Sequence, residues 1–228
     1  MRSRNWKYNH SKALNLLVML VILSIAACTG PSRPNKDALQ PDNGKETTTS
    51  PALDNEKASL PLTSVSAIQK AYADIAAKLE HGDLDSTAFK YDCHGEKNGT
   101  ISYFTEKGKL RLVIHRYNEY DHYSVVDRYY VRDSTMFFAH TNSVTWAFDG
   151  GLEGSTKNNI KEKRIYLVDG KPIKCLEKKF IVLSAAADNP SSESVPNREV
   201  DCPSIEAVLK PYRLLSKYRG KPTSDCLE

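Results

Sequence analysis

Apolar residues recur at Val65, Ile68, Tyr72, Ile75 and Leu79 in steps of three and four, the spacing that lines side chains along one face of a helix. Thr63 or Ser64 can cap its start and Gly82 can supply a left-handed stop, so a helix is predicted over 63–81. Its stripe is broad enough to cover a sheet face. From Ser86 to Ser184 the period falls to two and turn residues become regular. The predicted strands are 86–93, 100–106, 109–117, 122–132, 135–140, 143–148, 160–168 and 172–183. Lys107-Gly108 and Asp169-Gly170 read as two-residue hairpin turns, with Asp133-Ser134 a weaker version. Tyrosine pairs or Tyr-apolar pairs (Tyr103-Phe104, Tyr129-Tyr130, Tyr166-Leu167) precede these turns at irregular spacing, which points to repeated hairpins in a meander rather than a solenoid. Residues 185–200 read as a loose connection. Cys202 is expected to cap a last helix with Pro203 at its first position and Ile205, Val208, Leu209 and Tyr212 on one face, and Pro211 is expected to end or kink it. The fold class is α+β, mainly β: an antiparallel meander with an N-terminal helix and a short C-terminal helix.

The first 62 residues follow neither period. Ala13 to Ala27 are apolar except for Asn15 and Ser24, and as a helix they span about 22 Å, short of a roughly 30 Å bilayer core. With basic residues ahead of it, this stretch reads as an export signal over 1–27. Residues 29–62 carry five of the eleven prolines and little apolar clustering, so 28–62 reads as an anchor and flexible tether. The folded part then divides into 63–184, helix plus sheet, and 185–228, a loop and helix packed on it.

Composition alters this picture in one respect. The 228-residue chain has a formal charge of +4, but Arg2, Arg4, Lys7 and Lys12 all lie in the signal, and without it 28 basic groups face 28 acidic ones. Long-range attraction to a polyanion loses its support, and nucleic acid is not expected as a partner. No P-loop, dinucleotide fingerprint, nucleophile elbow, Cys-x-x-Cys or His-Glu-x-x-His is present. No cofactor is expected.

The densest polar cluster runs from His115 to Tyr123. His115, Glu119, Asp121 and His122 are ligand types for a divalent metal, which would suit a metal-assisted hydrolase. The competing reading is a solvated turn whose rings pair across strands. The glycine loop Asp149-Gly150-Gly151-Leu152-Glu153-Gly154 offers only two acids and reads as a connection rather than a calcium loop. Tyrosine is the compositional excess, 12 against 2 Trp. Tyr117, Tyr120 and Trp146 are the candidates for an aromatic face that binds protein or glycan.

Ile25-Ala26-Ala27-Cys28 resembles the lipobox of bacterial lipoproteins. The resemblance implies cleavage before Cys28, diacylglyceryl transfer to its thiol and acylation of the new amino group. Two or more acyl chains moor a protein stably where one does not. Thr29 implies sorting to the outer membrane, facing the periplasm. Together with the tyrosine-rich hairpins and the segment from Asp169 to Lys179, the chain resembles uncharacterised envelope lipoproteins of Gram-negative bacteria, a group that supplies no activity. Tyr91 and Cys93 also form a Tyr-x-Cys start similar to that of lipid-anchored lysozyme inhibitors. With Cys28 acylated, Cys93, Cys175, Cys202 and Cys226 remain, an even number suited to disulfides in an exported chain. Of three possible pairings, Cys93 with Cys175 and Cys202 with Cys226 is expected, tying the opening strand to the closing one and the tail to the last helix. The function expected is a non-catalytic, lipid-anchored protein that presents a β-sheet surface to an envelope protein or glycan.

Overall fold

The computed structural model describes residues 61–228; the signal, Cys28 and most of the tether lie outside the described residues. No helix among them is long and apolar enough to cross a membrane. The chain forms α1 (Val65–His81), then β1 (Asp85–Cys93), β2 (Lys97–Glu106), β3 (Lys109–Glu119), β4 (Tyr123–Arg132), β5 (Thr135–Phe148), β6 (Thr156–Val168), β7 (Lys171–Leu183), β8 (Arg198–Glu199) and α2 (Ile205–Lys217). Each strand pairs antiparallel with its sequence neighbours in one sheet of order β1 to β8.

The expected meander and both helices are present. Ser64 caps α1 through its side chain, and Gly82, at φ 79°, ends it. Lys107 and Asp169 take positive φ with the following glycine, as their tight turns require. The separate strands expected at 135–140 and 143–148 are one continuous strand, β5. The polar pair Thr141-Asn142 does not break it, because Asp127 and Glu162 lie opposite on the flanking strands.

A single helix on one face would leave alternate strand residues exposed. Instead Leu112 to His115 and Met136 to Ala139 are each buried four in a row. The cause is a helix on each face. Ile68, Ala71 and Ile75 of α1 pack on Leu112, Ile114 and Phe138, and Val208 and Leu215 of α2 pack on Tyr103, Val113 and Tyr129. Tyr72 stacks on Phe138 with ring centroids 4.5 Å apart, and Lys78 reaches Glu106 at the β2–β3 turn at 2.8 Å. α1 therefore covers the end of its face that holds the β2–β3 and β4–β5 turns.

α2 differs from expectation at both ends. Ser204, not Cys202, is its cap, with Oγ accepting from the Ala207 N–H at 3.3 Å. The helix also continues through Pro211 to Lys217. The proline removes the N–H that would bond the Ala207 carbonyl, but burial of Val208 and Leu215 on either side holds the helix to the sheet.

The disulfides also correct the expected pairing. Cys93 bonds Cys226 and Cys175 bonds Cys202. β1 and β7 are six strand steps apart, about 29 Å at 4.8 Å per step, so Cys93 and Cys175 cannot meet. Instead α2 crosses the sheet as a strap. It starts at β7 beside Cys175–Cys202, the Tyr103 hydroxyl on β2 donates to the Leu215 carbonyl at 2.7 Å, and the tail reaches β1, where the Asp92 N–H donates to the Ser224 carbonyl. The described residues, 61–228, contain both cores and both disulfides.

Gly99 on β2 shows how tightly the first strands are fitted. A Cβ there would lie 2.6 Å from the Arg116 carbonyl oxygen and 2.9 Å from both Tyr117 Cβ and the Tyr91 ring. The Tyr91 ring lies across this gap to reach β3. Because a backbone atom blocks the space, Gly99→Ala is expected to destabilise the fold by about 2 kcal/mol or more, measured as a lower urea midpoint with unchanged slope.

Candidate functional site

Strand register gathers one polar row on the α2 face: His115 lies opposite Asp127, Asp127 opposite Thr141, Thr141 opposite Lys163, and Lys163 opposite Glu177. Because facing residues of paired strands share a side, these residues from five strands form a band across the sheet. Tyrosines flank it, with Tyr91 and Tyr117 on the β1 side and Tyr123 and Tyr129 on β4.

The row is hydrogen-bonded within itself. The Tyr91 hydroxyl and His115 Nε2 share a hydrogen bond of 2.9 Å, and the Tyr117 ring stacks on His115 at 4.5 Å beneath the Lys97 ammonium, 4.1 Å from the ring centroid. Burial, with the Lys97 charge adding to it, pushes the His115 imidazole down to about 4, so it is neutral at physiological pH. Thr141 Oγ1 donates to Asp127 Oδ1 at 2.6 Å, and Asp127 helps to keep the neighbouring, buried Tyr129 phenol protonated. Burial raises the Asp127 carboxyl above its ordinary range against the pull of Thr141, Tyr129 and Lys97. Burial likewise raises Tyr91 and Tyr117, so both phenols stay protonated.

This row floors a groove between α2 and the sheet. One stretch, of about 750 Å³, is lined by Tyr123, Asp127, Thr141, Lys161 and Lys163 and walled by Ala207 and Pro211. It meets a second, of about 530 Å³, at Asp127 and Pro211, with His115, Tyr117 and Arg213 along it. The groove thus offers aromatic rings, hydroxyls, a neutral imidazole and flanking lysines. This lining can bind a polar chain; the acid and the imidazole are already held by protein hydrogen bonds.

The residues expected to act together separate here. His115 is buried in the row, and Glu119 pairs with Lys97 at 2.8 Å. The His122 ring lies against Trp146 at 4.2 Å. Asp121 sits in the turn, where its carbonyl accepts the Trp146 indole N–H. The set His115, Glu119, Asp121 and His122 therefore does not converge on one ion. Among the described residues the one group close enough for that is Cys93, His94 and Cys226, whose sulfurs are bonded to each other. Nor do Tyr117, Tyr120 and Trp146 share a surface. Tyr117 faces α2, Trp146 falls on the opposite face by register, and Tyr120 is exposed in the β3–β4 turn at φ 52°. In the glycine loop, Asp149 accepts from the Gly151 N–H at 2.8 Å and from the Ser155 hydroxyl, closing the loop on itself.

Asp127 and Thr141 escaped the sequence reading. The signal that marks them is the acid within the apolar run Val125-Val126-Asp127 and the polar pair inside β5. No protein family, curated protein or solved structure matches this chain.

Proposed function

We propose that the chain is a non-catalytic envelope lipoprotein, moored through acylated Cys28 on the periplasmic side of the outer membrane, that binds a glycan segment in the groove between α2 and the sheet. The observation that carries the binding reading is the polar row His115–Asp127–Thr141 with its flanking tyrosines, open along α2. Flat phenols and fixed hydroxyls suit sugar rings and their hydroxyl groups. The mooring rests on Ile25-Ala26-Ala27-Cys28 behind a basic, then apolar, leader.

Two measurements test the two halves. Labelling with a fatty acid should mark the chain, and Cys28→Ala should abolish the label. Envelope glycans offered to residues 55–228 should bind, with Tyr123→Ala and Lys161→Ala each weakening binding roughly tenfold. Binding that neither substitution changes would place the ligand elsewhere and defeat the groove reading.

A further inference from the structure

The face that carries α1 is covered only in part. Moving along the strands away from α1, the apolar row under the helix gives way to Arg128, His140 and Arg164, which face one another across β4, β5 and β6. The next row holds Lys90, Thr100, Arg116, Val126, Asn142, Glu162 and Lys178 on β1 to β7. These two rows carry five lysines and arginines against one acid. Glu162 is buried and already engaged: its carboxylate lies 3.3 Å from Arg164 and 3.4 Å from Lys178 and accepts from the Ser192 hydroxyl.

Lys90, Arg116 and Arg128 are left. Among the described residues none of the three has an ion-pair or side-chain hydrogen-bond partner. Arg116 and Arg128 sit diagonally on adjacent strands, within reach of each other's long side chains. Burial and the neighbouring Arg128 charge both disfavour the Arg116 cation. Two guanidinium groups side by side without a counter-ion are what an oxyanion offsets, since each fork can donate two parallel hydrogen bonds.

The surface also has a hollow. A depression of about 730 Å³ is lined by Lys90, Thr100, Arg116, Asn118, Ser124 and Val126. Its one acid, Asp92, accepts from the Gly95 N–H at 2.7 Å. Beyond the cations the same face turns largely apolar on β5 to β7: Val144, Ile160 and Phe180 continue the row that holds Asn118 and Ser124 on β3 and β4, Trp146 and Val182 flank Asn158 in the next, and Phe148, 68% exposed, ends it. The cation-lined hollow on β1 to β4 therefore adjoins an aliphatic and aromatic surface on β5 to β7.

We propose that this half-face seats an anionic phospholipid, with the phosphate held by Arg116 and Arg128 beside Lys90 and the apolar part laid along Val144, Ile160, Trp146 and Phe148. An acidic protein segment would use the cations but leave the adjoining apolar rows uncovered; a phosphate-bearing amphiphile matches both. The proposal rests on the reading that the protein works at a membrane surface.

Residues 55–228 lack Cys28 and retain both cores and both disulfides, so vesicle binding by this piece reports the face without the anchor. Trp146 is its sole tryptophan. Vesicles containing phosphatidylglycerol should bind it and shift Trp146 emission to shorter wavelength; vesicles of phosphatidylcholine alone should not. At about one kcal/mol per basic residue near a charged surface, Arg116→Gln with Arg128→Gln should weaken binding roughly thirtyfold, and Lys90→Gln, at an exposed edge position, roughly fivefold. Equal binding to both vesicle types, unchanged binding by the variants, or full displacement by inorganic phosphate at the same affinity would overturn the proposal. Any of these failures leaves fatty-acid labelling of Cys28 to be decided separately.

Discussion

Between pH 6.5 and pH 4 two histidines buried in neutral form on opposite faces of one sheet are expected to withdraw about 5 kcal/mol of stability from the folded unit. His115 and His140 are each pushed down to about 4, both chiefly by burial. His140 is further disfavoured as a cation by Arg164 and Arg128, which outweigh the opposing pull of Glu162. Its Nε2 is buried without a hydrogen-bond partner, 3.5 Å from the Glu162 carboxylate. In the unfolded chain both imidazoles protonate at their ordinary value of about 6.5. Below that pH the unfolded state therefore binds protons that the native state refuses, and the stability present above 6.5 is lost as pH falls toward the folded values. Each histidine contributes about 2.5 kcal/mol to the loss, against a typical total of roughly 5–15 kcal/mol.

Asp127 opposes this trend. Its raised pKa favours the native state at low pH, and that contribution disappears as pH rises from the ordinary carboxylate value through the folded one. Urea unfolding followed from pH 7.5 down to 4.5 should show the falling midpoint, and His140→Gln should flatten its share of the slope. A midpoint that stays level across that window would mean that the two imidazoles are not held neutral by burial.

These histidines also show where the sequence was legible. The helix periods, the hairpin glycines and the alternation from Ser86 to Ser184 disclose the meander, because local turn chemistry and side-chain period decide those features. His115 was visible as a candidate, but only register reveals its surroundings: Tyr91, which bonds the imidazole, is 24 residues away in sequence, and Asp127, twelve away, lies directly opposite. Asp127 itself carries no local signal beyond an acid among valines. The same limit explains the metal cluster that does not form, since Glu119 follows His115 along one face while Asp121 and His122 sit in the β3–β4 turn, where the period of two no longer places side chains. It also explains the disulfides. Cysteine count gave an even number for bridging, yet pairing depends on which sheet edge each end of α2 reaches, and that is set by tertiary packing.

Removing the Cys93–Cys226 bridge is expected to cost about 5 kcal/mol, the larger effect of the two disulfides. The bond joins residues 133 apart in sequence, whereas Cys175–Cys202 spans 27. Loop-closure entropy gives about 5 kcal/mol for the first and about 3.5 for the second. The order follows from how much of the unfolded chain each bond restrains: the long bridge encloses β2 to β8 and α2, the short one only the rest of β7, β8 and the lead into α2. Cys93→Ala with Cys226→Ala should therefore lower the urea midpoint more than Cys175→Ala with Cys202→Ala. The reverse order would show that local attachment of α2 at β7, and not closure of the chain, governs stability. The groove adds a second readout. α2 forms one wall and is pinned near each end by these bridges, so freeing the tail from β1 loosens the stretch beside His115 and Tyr117, while freeing Cys202 loosens the stretch beside Lys161 and Lys163. Ligand affinity should thus respond to the two pairs of substitutions at opposite ends of the groove, with Lys161→Ala adding little further loss once Cys175–Cys202 is gone.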